Sequence, residues 1–210
     1  MTDGRSTPDP ALVDGHQPAQ IAWHHVDLLR QPNGARERQL LAGAAVTVLG
    51  ALEGHSYIQA DHDGYIGFVP TASLMARSAA THVVSTPGAH VYAEASIKSS
   101  ETGALSFGAT LTALADTADF IQTHLGHVPK AQLATLPTKA RNPIDTARVF
   151  LGTPYLWGGN TRAGIDCSGL VQAALLHAGH PCPGDSDQQE SMLGTPGDDG
   201  AYQPGDLLFW

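Results

Sequence analysis

Cys167 is the residue whose type and position suggest covalent chemistry. It follows Asp166, a good N-cap, and opens a run with apolar residues at 170, 171, 174, 175 and 178 that Gly179 closes. In the first turn of such a helix, unpaired N–H groups and the positive end of the macrodipole favour an anion. A thiol there is expected to ionise more readily than a free one, and the thiolate is the nucleophile. Gly158, Gly159 and Gly164 precede it and are expected to let backbone approach a bound ligand closely. The same placement suits a small buried cysteine, and helix position alone leaves both readings open.

A thiol nucleophile needs an imidazole to take its proton and return it to the leaving amine. The chain has 11 histidines. His177 and His180 fall at the far end of the Cys167 helix, and the other nine lie upstream of it, from His16 to His127. The pairs His124/His127 and His177/His180, the latter near Cys182, are a weak metal signal without a matched second pair, so neither metal nor cofactor is expected. Cys182 lies between two prolines and reads as a packed loop thiol. No Lys-Ser/Thr follows the glycines at phosphate-loop spacing.

The elements that must position Cys167 come next. Asn142 to Gly152 predicts a short helix with an N-cap, Pro143 at its first position and Gly152 at its end. Upstream, short apolar runs alternate with turns. Ala44–Gly50, His55–Ala60 and Tyr65–Pro70 read as strands, with Asp61–Gly64 turning the last two. Leu40–Leu49 aligns with Leu105–Leu114, and Gly67–Leu74 with Gly126–Leu133, a repeat of roughly 60 residues suited to a small five- or six-stranded barrel. Ser106 and Phe107 make the second copy the weaker one. Residues 1–20, rich in Pro, Gly and Asp, are expected to be a mobile arm able to order on its neighbours. Eleven basic residues against 20 acidic ones, a net charge of −9, disfavour nucleic acid or anionic membrane as partner. No apolar run is long enough to span a bilayer, the first ten residues lack a signal-peptide core, and two cysteines make no disulfide framework. A cytoplasmic setting is expected.

Tyr155-Leu156-Trp157-Gly158-Gly159 followed by Asp166-Cys167-Ser168-Gly169 resembles the nucleophile motif of the NlpC/P60 cysteine peptidases. These cleave bacterial cell-wall peptides with a papain-like Cys-His-polar triad. Pro183-Gly184-Asp185-Ser186-Asp187-Gln188-Gln189 resembles the family's next segment, with Gly184 where Arg is common. Tyr202 to Trp210 resembles its Pro-Gly-Asp-Leu strand start. The resemblance implies an α+β chain: arm 1–20, two small SH3-like β-barrels at 21–77 and 78–136, then the N-terminal half of a papain-like NlpC/P60 domain at 137–210.

It also implies a cysteine peptidase that hydrolyses the γ-D-glutamyl–diamino-acid bond of murein peptides such as L-Ala-γ-D-Glu-diamino acid, in peptidoglycan recycling. Cys167 would be the nucleophile, with Tyr155, Asp166, Ser168, Asp185, Ser186 and Tyr65 binding substrate. The first barrel would wall the cleft and select peptides with a free N-terminal L-Ala. In the family the histidine follows the Pro-Gly-Asp-Leu segment, and none of the 11 matches it. The chain is therefore expected to be a piece without its base, its barrels folded and 137–210 loosely ordered and inactive. A non-catalytic wall-binding module is the alternative, disfavoured by the absence of a leader.

Overall fold

A computed structural model describes residues 3–197 and 200–210. Met1 and Thr2 of the expected arm, and residues 198 and 199 of the expected peptidase segment, lie outside them. The first β body contains β1 (Gln17–Ile21), β2 (His25–Leu29), β3 (Arg36–Leu41), β4 (Ala45–Leu52), β5 (His55–Ala60), β6 (Ile66–Pro70) and β7 (Leu74–Ala76). They form one antiparallel sheet in the order β3-β2-β6-β5-β4-β1-β7. Branched residues on its inner face (Ile21, Leu28, Leu40, Val46, Ile58 and Val69) make the core. The Asp61–Gly64 turn works because Gly64 takes φ +77°, where a side chain would be strained.

β1 lies inside the stretch expected to be arm, so the first body begins at Gln17. The rest of the arm orders on this body. Leu12 and Val13 pack on Leu49, Tyr57, Ile66 and Phe68, and the N–H groups of Asp14 and Gly15 reach the Leu49 carbonyl at 2.8 and 3.1 Å.

The second β body runs through β8 (His82–Val84), β9 (Gly88–Tyr92), β10 (Glu101–Ser106), β11 (Thr110–Leu111), β12 (Ala115–Asp116), β13 (Phe120–Thr123), β14 (Gly126–Pro129) and β15 (Leu133–Thr135). It is built as two sheets, β10-β9-β14-β13-β12 and β11-β8-β15. The aligned segments of the repeat have matching local structure. β6, a 3-10 turn at Thr71–Ser73 and β7 correspond to β14, a turn at Lys130–Gln132 and β15, while Gly43 and Gly108 both have positive φ, +74° and +86°. Where the copies differ, the second has another job. Phe107 packs with Phe150 and Ile165, and Ser106 Oγ accepts the Arg162 N–H at 3.0 Å, so both serve the segment that follows.

That segment contains α1 (Pro143–Val149), β16 (Asn160–Thr161), β17 (Gly164–Ile165), α2 (Cys167–His177) and α3 (Ser186–Met192). α1 starts as its sequence predicts, with Asn142 Oδ1 accepting the Ile144 N–H at 2.9 Å. Val149, Leu170 and Ala173 join the Phe107 cluster. Residues 142–193 are thus packed rather than loose. The expected strand after Pro204 is not formed: residues 200–210 have no regular structure, with Leu208 and Trp210 exposed. A strand exists only with a neighbour for its ladder bonds, and this stretch has its Gln203–Asp206 bonds alone among the described residues. Among the described residues the peptidase-like part is therefore three helices and a two-residue ladder, without a papain-like sheet.

Candidate active site

Cys167 is the first residue of α2 and is exposed. Asp166 builds its setting. Asp166 Oδ1 accepts the Gly169 N–H at 2.7 Å and the Ser168 hydroxyl at 3.3 Å, and Oδ2 accepts the Gly158 N–H at 2.9 Å. Its carboxylate thereby fixes the turn that carries Cys167. Ser168 likewise turns inward and is buried. The N–H groups of Cys167 and Ser168 have no acceptor among the described residues and are free to face a developing oxyanion.

The glycines act differently from expectation. Gly158, at φ +66°, lies against the Glu37 carbonyl, and a Cβ at Gly164 would strike Leu156. They permit the chain to fold upon itself and upon β3, not upon a ligand. The loop is fastened to β3 by the Arg36 Nε–H to the Trp157 carbonyl at 3.0 Å and by paired bonds between Gln39 and Asn160 at 3.1 Å. Tyr155 and Trp157 stand out from the loop, 66% and 70% exposed. Desolvation, then the neighbouring Cys167 and Asp166, push the Tyr155 phenol upward.

Asp185 precedes α3 but makes no side-chain cap. Instead its Oδ2 accepts the Tyr65 hydroxyl at 3.2 Å, and the same hydroxyl reaches Glu37 Oε2 at 3.4 Å. Burial, then the Asp185 and Glu37 carboxylates, push Tyr65 well above the usual phenol range, so it stays a neutral donor. A recess lined by Glu37, Arg38, Asp166, Ser168, Gly184 and Asp185 joins this acidic group to the start of α2. The structure thus brings Tyr65 and Asp185 together beside α2. Ser186 is exposed, and its hydroxyl makes no hydrogen bond among the described residues.

Several residues that sequence reasoning missed hold this together. The Arg38 guanidinium passes over the Tyr65 ring at 5.0 Å and donates to Asp63 at 2.9 Å and to Gln172 at 2.5 Å. It fills the space in front of Gly184, where any Cβ would collide with it, which explains a glycine at this position. Gln172, 2% exposed, also donates to Asp63 at 2.8 Å and to the Cys182 carbonyl at 3.0 Å. Gln189, 1% exposed, donates to the Ser168 and Pro183 carbonyls at 2.9 and 3.0 Å and ties α3 to α2. Cys182 is buried, and burial pushes its thiol up to about 11, so it is no second nucleophile at neutral pH.

No imidazole bonds the Cys167 thiol among the described residues. His177 lies at the opposite end of α2, stacked on Phe107 at 4.5 Å with Nδ1 toward the Ala173 carbonyl. No group of three or more metal-ligating side chains occurs among the described residues.

Residues 28–74 match the model of a bacterial dipeptidyl-peptidase Sh3 domain, and residues 152–210 that of the NlpC/P60 family. A γ-D-glutamyl-L-lysine dipeptidyl-peptidase of Bacillus subtilis is 43% identical over 72 residues, 34% of this chain and 24% of the relative. A probable endopeptidase NlpC of Escherichia coli is 36% identical over 87 residues, 41% of this chain and 56% of the relative. The chain thus spans about a quarter of the Bacillus relative's length and just over half of the Escherichia one's. The crystal structure of an NlpC/P60 family protein from Bacillus cereus superposes with a TM-score of 0.73 at 21% identity, covering 90% of this chain and 81% of that one, which shows a common fold. With a thiol at a capped helix start behind a matching β body, the chain is an NlpC/P60 family protein with a bacterial SH3 domain.

Proposed function

We propose that this protein is a cysteine peptidase acting on murein-derived peptides, cleaving the γ-D-glutamyl–diamino-acid bond of L-Ala-γ-D-Glu-diamino acid in cytoplasmic peptidoglycan recycling. The observation that carries this reading is the hydrogen bond between Tyr65 and Asp185, from two parts of the chain, with Asp185 lining a recess at the start of the Cys167 helix. An ammonium needs such a group of acceptors, and with Glu37 they suit a free N-terminal amine better than a blocked one. The Cys167 thiolate would attack the γ-carbonyl carbon, with the Cys167 and Ser168 N–H groups taking the oxyanion. The diamino acid leaves with a proton as the acyl-enzyme forms, and water releases the L-Ala-γ-D-Glu product.

No imidazole bonds the Cys167 thiol among the described residues, so residues 1–210 alone are expected to turn over no peptide. Measurable turnover by residues 1–210 would assign the base to one of the 11 histidines. On the protein as the cell makes it, the test is hydrolysis of free and N-acetylated L-Ala-γ-D-Glu-diaminopimelate. Cys167→Ala abolishes hydrolysis. Asp185→Ala costs about 2–5 kcal/mol of transition-state binding and erases the preference for the free amine. Equal rates for free and acetylated peptide in the unaltered protein would remove the amine-binding role. Cell fractionation checks the compartment.

A further inference from the structure

The acidic recess already has a cation on it, and it comes from the chain's own N-terminal arm. Arg5 Nη1 donates to Asp185 Oδ2 at 2.8 Å, the oxygen that also takes the Tyr65 hydroxyl. The guanidinium also grips Asp187 through both terminal nitrogens at 2.8 and 2.7 Å. Asp3 presents it, accepting from Arg5 Nε at 3.0 Å, Nη2 at 2.8 Å and the Arg5 N–H at 2.9 Å. The tip is laid down by the Ile66 N–H to the Arg5 carbonyl at 2.8 Å and by Gln188 Nε2 to Asp3 Oδ2 at 2.7 Å.

The arm is attached in two unlike ways. Its Leu12–Val13 half is pinned by apolar burial against the first body. The 3–7 tip is held by the hydrogen bonds and ion pairs just described, all of which water or another cation can replace. The tip can therefore lift while the rest of the arm stays, which requires no unfolding of the sheet.

We propose that Arg5 is an internal occupant of the amine subsite, an autoinhibitory strap that a substrate's N-terminal ammonium must displace. This rests on the amine-binding role of Asp185 given above. A guanidinium and an ammonium compete for the same carboxylate, and two cations in contact repel one another. The strap lowers apparent affinity by the fraction of molecules in which it is closed. It also discriminates: a blocked or uncharged peptide end gains nothing from Asp185 that could offset loss of the arm's bonds.

The experiment is calorimetric titration of the full chain with L-Ala-γ-D-Glu-diaminopimelate and its N-acetyl form, for the unaltered protein, Arg5→Ala and Asp187→Asn. Asp187 is exposed at the surface of α3, so its variant keeps the fold if Arg5→Ala does not. Both variants are expected to tighten the free-amine peptide about tenfold and leave the acetylated one unchanged. In the unaltered protein, hydrogen exchange at the Thr7 and Ile66 amides should quicken when the free-amine peptide is added. Preference for the free amine with no tightening in either variant overturns the strap and leaves the amine subsite standing. Equal binding of both peptides in every variant, or none at all, overturns the amine subsite and the strap with it.

Discussion

Cys167 and Cys182 bear the same side chain in opposite surroundings. One is exposed at a helix start, beside a carboxylate that is wholly engaged in holding the turn; the other is sealed under Gln172 and Gln189. Iodoacetamide near pH 7.5 should therefore label Cys167 at least about ten times faster than Cys182, whose thiol stays protonated there. Peptide mapping reads this directly, and earlier labelling of Cys182 would reverse the assignment. The placement of Cys167 was legible because a cap, a helix start and a C-terminal glycine are all local signals. Asp185 beside Tyr65 was legible only through resemblance, and Arg5, Glu37 and Arg38 not at all. Their partners lie far along the chain: Arg5 bonds Asp185 across 180 positions, and Arg38 bonds Gln172 across 134.

At the level of elements, α2 docks by a polar contact that its apolar stripe conceals. Leu170 and Ala173 face the Phe107 cluster, yet the more deeply buried side chain is Gln172, meeting Arg38 and Asp63. A glutamine among helix formers carries no sign that it will be buried, since burial depends on a charge supplied by β3. Burial alone would raise the Asp63 carboxyl, but the His62 hydrogen bond and then the Arg38 charge outweigh it and hold it at about 2, below its ordinary 3.8. Its contribution, roughly 2 kcal/mol, is complete above pH 3.8 and is lost as pH falls toward 2. Asp63→Asn leaves Arg38 buried without its counter-charge and should cost about 3–5 kcal/mol, while abolishing that acid-limb loss. Denaturant titrations at pH 7 and pH 3 check both. An unchanged midpoint at pH 7 would mean that α2 is held by its apolar contacts alone.

For the whole molecule, strands and turns of the first body follow period-two patterning and are visible in the sequence, as is the repeat. What patterning could not show is that the departures in the second copy, Ser106 and Phe107, are contacts to the helical part. Nor could it show that residues 142–193 are held by the β bodies in place of a sheet of their own. Limited thermolysin digestion should accordingly cut first beyond Leu193, where residues 200–210 are exposed, and leave 3–193 together. First cleavage within residues 137–140, which are exposed and have no regular structure, would instead mean that the helical part separates readily from the rest.

The docking of the loop before Cys167 has one more consequence. β3 ends the first sheet, with β2 as its only strand neighbour among the described residues, so its outer side would ordinarily be a template for a strand of another molecule. Arg36, Gln39 and the close pass of Gly158 place the loop along that side. The loop that presents the thiol is thus also a guard against edge-to-edge association. A bulkier residue at Gly158 would lift it, and the damage would appear as aggregation.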